Sequence, residues 1–268
     1  MNSPQPPPAA ARRTFKIVRI LILVFILVLA GGSALYSKLG TTDWEQTLEI
    51  TIYPLNADGS PTTETYLSWL DPSEFDPVKD FMAREAHAWE LPLENPINIS
   101  LAPEIETPPP DPPRSGSVFK RIWWSLKMRW YGFKLDHELG PSDEISIVVL
   151  YHDPKLQPVL EHSFGLQKGL LAVVHAFANP RLGGQNQVVM VHELLHTLGA
   201  SDKYDPATER PLYPDGFVDP EQQPLYPQYR AEIMAGSIPL SEMRWEMARN
   251  LNEVEIGFKT AQEIKWIR

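Results

Sequence analysis

Apolar and polar residues alternate along Leu48-Glu49-Ile50-Thr51-Ile52-Tyr53-Pro54, the two-residue period of a half-buried strand. The period then changes. From Pro72 to Leu91 the residues Phe75, Val78, Phe81, Met82, Ala86 and Trp89 recur at helical spacing, which predicts a helix with Ser73 as its N-cap. Ile97 to Leu101 reads as a second strand, and Glu144 to Tyr151 as a strong central one. Val159 to Phe164 and Gly169 to Phe177 are expected to form a hairpin around Gly165 and Gly169. Val188, Val189, Val191, Leu194, Leu195 and Leu198 then predict a helix buried on one side. Ser241 to Leu251 reads as a closing helix. Ile256, Phe258, Ile264, Trp266 and Ile267 predict a further short helix packed back on the body.

Two stretches interrupt this pattern. Residues 103–117 contain Pro108-Pro109-Pro110-Asp111-Pro112-Pro113, which can join no ladder and reads as an extended insertion within one domain, or less simply as a site for a proline-recognising partner. From Val118 to Leu135 the residues Lys120, Arg121, Lys127, Arg129 and Lys134 alternate with Trp123, Trp124, Trp130, Tyr131 and Phe133. A helix is expected there. Its broad face of Phe119, Ile122, Trp123, Leu126, Trp130 and Phe133 would pack on the sheet, with the basic residues in water. The other reading is a helix lying in the plane of an anionic lipid surface. Residues 203–229 are rich in proline and tyrosine and read as irregular loop.

The N-terminus adds a location. Residues 1–16 read as a disordered cytoplasmic tail, and 17–37 as a transmembrane signal anchor, because Ile20 to Tyr36 is uncharged and follows four basic residues. The positive-inside rule then sends residues 38–268 across the membrane as one extracytoplasmic domain. Gly32-Ser33-Ala34 offers the competing outcome, a cleaved signal peptide and a secreted protein. The chain has no cysteine, so the body needs no oxidative folding, which suits a bacterial envelope protein. Its net charge is -10, although the first 38 residues carry five basic residues and no acid. Such an acidic body excludes nucleic acid as a partner.

Chemistry concentrates in His192-Glu193-Leu194-Leu195-His196-Thr197-Leu198-Gly199-Ala200-Ser201-Asp202. Histidines four apart stand one above the other on a helix, so both imidazoles reach one cation. Glu193 is placed to take a proton from an activated water. Gly199 can end the helix in a left-handed turn that returns Asp202 to the metal. Three protein ligands with an open fourth position describe a catalytic zinc. Asp205, Glu209, Glu221 and Glu232 are the alternative carboxylates for the third place. His152, His162 and His175 fall on expected strands and are not read as ligands. A surface helix whose two histidines only pack or solvate is the plainer alternative.

The segment resembles the metzincin zinc peptidases, whose signature is His-Glu-x-x-His-x-x-Gly-x-x-His followed by a methionine turn. Asp202 in the last place is similar to the snapalysin-type branch. The resemblance implies an α+β domain: a mixed twisted sheet with helices, a zinc helix, a methionine turn and a C-terminal helix. It implies an antiparallel edge strand, Val159 to Phe164, lining the cleft and pairing with an extended substrate. Glu232-Ile233-Met234-Ala235-Gly236 resembles the methionine turn, with Met234 beneath the zinc ligands. Gly236 stands where some relatives carry a zinc-binding tyrosine, which leaves Tyr204, Tyr226 and Tyr229 as candidates for the oxyanion. Ile238-Pro239-Leu240 would shape the pocket for the side chain after the scissile bond. The implied function is a membrane-anchored zinc endopeptidase acting on protein or peptide substrates. The rival classes are a non-catalytic zinc-containing envelope protein and a zinc hydrolase acting on another bond.

Overall fold

The computed structural model describes Arg19 and residues 42–113, 117–138, 144–167 and 170–267. The expected cytoplasmic tail and the expected anchor lie outside the described residues, Arg19 apart. Among the described residues, no helix is long and apolar enough to cross a membrane.

The chain runs β1 (Leu48–Asn56), α1 (Pro61–Ser68), a 3-10 turn (Pro72–Phe75), α2 (Asp76–Ala88), β2 (Ile97–Leu101), α3 (Val118–Glu138), β3 (Ile145–His152), β4 (Phe164–Leu166) and β5 (Leu171–Phe177). After a second 3-10 turn (Pro180–Leu182) come α4 (Gly183–Leu198), β6 (Ala231–Glu232), β7 (Ser237–Ser241), β8 (Arg244–Met247), β9 (Val254–Glu255) and α5 (Phe258–Glu263). β1 to β5 form one sheet in the order β2-β1-β3-β5-β4, parallel throughout except for β4 at the edge. The fold is thus a mostly parallel mixed sheet with helices on both faces.

Two apolar cores follow from the pleat, because successive side chains point to opposite faces. Ile50 and Ile52 of β1, Ile147 and Val149 of β3, and Ala172 and Val174 of β5 meet α2 and α4. Tyr53 and Leu55, Val148 and Leu150, and Leu171 and Val173 meet α3 on the other side. Strands covered on both faces are the rule in parallel sheets. β1 is therefore buried on both faces and not on one, with Thr51 2 % exposed.

Several expected elements changed. The helix over 72–91 is a 3-10 turn followed by α2. Pro77, with a fixed φ and no N–H, fits the first turn of the new helix, and Asp71 in place of Ser73 caps the turn by accepting from the Ser73 N–H at 3.0 Å. The edge strand is Phe164–Leu166, later and shorter than 159–164. Ser163 Oγ accepts the His175 N–H at 3.0 Å, taking the donor that a longer ladder would have used. Gly169 lies outside the described residues.

The closing helix at 241–251 is instead the β7–β8 hairpin, in which Ile238 faces Glu246 and Pro239 faces Trp245. Met243 and Met247 are exposed, so a helix there would have had little to bury. The short C-terminal helix is present as α5, with Ile256, Ile264 and Trp266 buried and Phe258 exposed. α3 forms where expected but turned over: Met128, Tyr131 and Leu135 are buried against the sheet, and the broad face faces outward. The narrow stripe at i, i+3 and i+7 packs with Tyr53, Val148 and Val173 of the sheet, and Trp124 and Tyr131 also donate to the proline segment at Pro110 O and Thr107 O, both at 2.8 Å.

Candidate metal centre

α4 is anchored at both ends. At its start Asn186, 8 % exposed, donates to Phe177 O and accepts from Phe177 N, both at 2.9 Å, which fixes the helix to the end of β5. Its far end closes on Gly199 at φ +105, with Gly199 N–H donating to His196 O and Ala200 N–H to Leu195 O. The backbone conformation selects glycine here, since the Gln167 amide 2.4 Å from a Cβ is the end of a flexible side chain that can move aside. Between these ends Val191, Leu194 and Leu195 are fully buried, and His192 and His196 face the open side.

The left-handed turn returns the chain so that His192 Nε2, His196 Nε2 and Asp202 Oδ1 lie 3.0 to 3.1 Å from one another. Among the described residues this is the group of three that could hold a metal ion. Asp205, Glu209, Glu221 and Glu232 do not belong to it, and neither do His152, His162 or His175. His152 and His175 instead stack on each other, with Nε2 and Nδ1 3.0 Å apart.

The other ring nitrogens decide the tautomers. His192 Nδ1 is 3.0 Å from Ile233 O and His196 Nδ1 is 2.8 Å from Ala200 O. A carbonyl oxygen only accepts, so both Nδ1 atoms carry hydrogen and both neutral rings turn the Nε2 lone pair inward. Two nitrogen lone pairs and a carboxylate oxygen then converge. Three acceptors at such distances repel unless a proton or a metal cation sits among them, and their 3.0–3.1 Å edges need to spread by only a few tenths of an ångström to reach the roughly 3.3–3.6 Å edges of a tetrahedron with bonds of about 2.0–2.2 Å. The residues present therefore fit zinc.

Glu193 lies behind the group, 6 % exposed. Burial raises its pKa above the ordinary carboxylate value, against the lowering pull of His192, His196 and a hydrogen bond from the Gly165 backbone. Its Oε2 is buried without a hydrogen-bond partner, an orphaned acceptor such as a reacting proton would satisfy. Burial would raise Asp202 too, but when no cation sits in the group, protons on the two Nε2 atoms donate to its carboxylate and hold it well below the usual range. The same contact, opposing burial, raises His196.

Three supports had no sequence signature. Gly165 of β4 passes so close to α4 that a Cβ would stand 2.3 Å from Glu193 O and 2.7 Å from His196 Cβ. Glu263 of α5 accepts from Ser201 N at 2.9 Å, Ser201 Oγ at 2.9 Å and Lys203 Nζ at 2.6 Å, clamping the residues on both sides of Asp202. Glu232 is fully buried and accepts from Met234 N at 2.6 Å, Ala235 N at 3.1 Å, Gly257 N at 3.2 Å and Thr260 Oγ1 at 2.5 Å. It ties the turn containing the buried Met234 to α5. That turn meets the site through Ile233 O and through Met234 O, which accepts from Lys203 N at 3.0 Å.

Of the three tyrosines, Tyr204 is beside the site, its ring centroid 6.3 Å from that of His192. Burial and the neighbouring Asp202 and Glu193 raise its pKa. Tyr226 packs on Phe217, and Tyr229 reaches Glu255. The chain matches no model of a known protein family, and no curated protein is detectably similar to it.

Proposed function

We propose that this chain is a zinc-dependent endopeptidase of metzincin type, tethered to a membrane by residues 17–37 with its body on the extracytoplasmic side. The observation that carries the reading is the convergence of two tautomer-fixed histidines and Asp202 beside a buried, partly orphaned Glu193. The antiparallel edge strand, the left-handed Gly199 and the buried Met234 turn support the finer resemblance. Bound zinc would supply a Lewis acid and lower the pKa of a coordinated water to about 7.

His192, His196 and Asp202 would hold the ion. Glu193, kept basic by burial, would be the group that takes a proton at Oε2 and passes it to the leaving amine. Tyr204, whose ring lies beside His192, would be the donor to the developing oxyanion. β4 is the edge of its sheet and offers backbone groups to an extended peptide, which favours a polypeptide substrate over another hydrolysable bond.

The test compares the wild type with Glu193→Gln on a denatured protein mixture, reading new N-termini by mass spectrometry and bound zinc in both. Equal zinc with new termini from the wild type alone is expected, a loss of about 100-fold or more in rate. Equal cleavage by the two proteins refutes Glu193 as the base. Zinc without cleavage by either points to a non-catalytic zinc protein, and absence of zinc from the wild type overturns the centre.

A further inference from the structure

α3 hides one stripe and displays another. Opposite Met128, Tyr131 and Leu135, the side chains of Phe119, Ile122, Trp123, Leu126, Trp130 and Phe133 are each more than half exposed. Single exposed apolar residues are ordinary on a protein surface, but six on one helical face make a contiguous patch that marks an interaction site. The helix has 21 residues and so is about 30 Å long, which makes the patch long and narrow.

Its borders are cationic. Lys120, Lys127 and Lys134 recur every seven residues and form a row along one side, and Arg121 and Arg129 lie along the other. No acid occurs from Val118 to Leu135, in a chain of net charge -10. Basic charge withheld from the body and concentrated beside aromatic rings is the arrangement that anionic lipid attracts.

We propose that α3 lies flat in the headgroup layer of an anionic membrane, its apolar stripe among the acyl chains and its two basic borders at the lipid phosphates. A groove of about 770 Å³ between α3 and residues 104–110 opens beside the stripe; Ile105, Trp123, Leu126 and Trp130 give an acyl chain apolar walls, and the carboxylates of Glu104 and Glu106 share the lining with Lys127 and Lys134. A second copy is the poorer occupant. Two such faces packed together would set cationic borders against each other. Trp124 of the same helix touches Phe164 of β4, with ring centroids 5.6 Å apart, so docking would hold the edge strand close to the bilayer. The inference stands independently of the metal centre.

The absence of cysteine makes site-directed spin labelling direct. Full-length chains carrying Leu126→Cys or Ile122→Cys, with Trp69→Cys as the control at a position 82 % exposed, are nitroxide-labelled. Each is added to vesicles of phosphatidylcholine with phosphatidylglycerol. Collision with oxygen is compared with collision with a water-soluble nickel chelate. Labels at 122 and 126 are expected to become shielded from the chelate and open to oxygen, while the label at 69 stays in water.

Replacing Lys120, Arg121 and Lys127 by Glu should return the label at 126 to water. High salt and phosphatidylcholine alone should do the same without any substitution. Labels at 122 and 126 that stay in water on anionic vesicles overturn the proposal. So does shielding that appears without lipid and brings dipolar broadening between labels, which assigns the face to a second copy.

Discussion

Glu263→Ala is the substitution whose consequence can be worked through most fully. Lys203 Nζ and Glu263 Oε2 stand 2.6 Å apart, with side-chain exposures of 5 % and 20 %. At an effective dielectric near 20 the attraction amounts to about 6 kcal/mol before the cost of removing both charges from water. Deleting one partner of a buried pair therefore costs about 3–5 kcal/mol, and here the lower end applies, because Ser201 O and Oγ still accept from Lys203 at 2.8 and 2.9 Å. The loss falls on the segment that carries Asp202. Metal affinity should drop about 10–100-fold, as it does when groups orienting a ligand are removed.

The assays are urea unfolding followed by circular dichroism and zinc binding against a competing chelator. The pH dependence has a definite sign. Burial opposes ionisation of Glu263, but Lys203 and Ser201 outweigh it and lower its pKa below 4.5. Its contribution is thus complete above 4.5 and disappears as the pH falls through the folded-state value, so wild type and Glu263→Ala should converge in stability in acid. A loss below about 1 kcal/mol with unchanged zinc affinity at neutral pH would refute the clamp.

Two further outcomes follow from the site. Gly165→Ala forces a Cβ to 2.3 Å from Glu193 O, and overpacking of that kind should cost about 1–3 kcal/mol and lower the cleavage rate more than the zinc content, measured by melting, turnover and metal analysis. Because burial raises Glu193, the general base is lost at a pH above 4.5 as acid is added, and the acid limb of kcat/KM should have its midpoint there. A limb at or below the ordinary carboxylate value would contradict the burial argument.

The candidate metal group was legible in the sequence because its order in the chain is its order in space. His192, Glu193, His196, Gly199 and Asp202 lie on one helix and its terminating turn, where local geometry alone brings them together. The parallel strands were legible for a similar reason: Ile50 and Ile52, or Ile147 and Val149, carry the period of the pleat. What failed was any feature set by distant partners. Ser241 to Leu251 is rich in helix formers, yet β7 pairs with it and helix propensity yields. α1 has Ser60 as cap and Pro61 at its first turn, a readable start signal, but its one fully buried residue is Thr63, so no apolar stripe announced it. α3 carries two apolar stripes, and the broader one is on the outside. Lys203 and Glu263 are 60 residues apart, and nothing local links them.

The buried Glu232 and the half-buried Glu263 also impose an order in time. Glu232 and Glu263 fasten the methionine turn and the Asp202 segment to residues 257–263, which leave the ribosome after every ligand has already been made. A nascent or partly exported chain can present His192, His196 and Asp202, but it lacks the clamp that steadies the residues on both sides of Asp202. If the chain is the peptidase proposed above, its centre would reach full rigidity only after α5 has been made, so the last turn of the chain would complete a site laid down about 60 residues earlier.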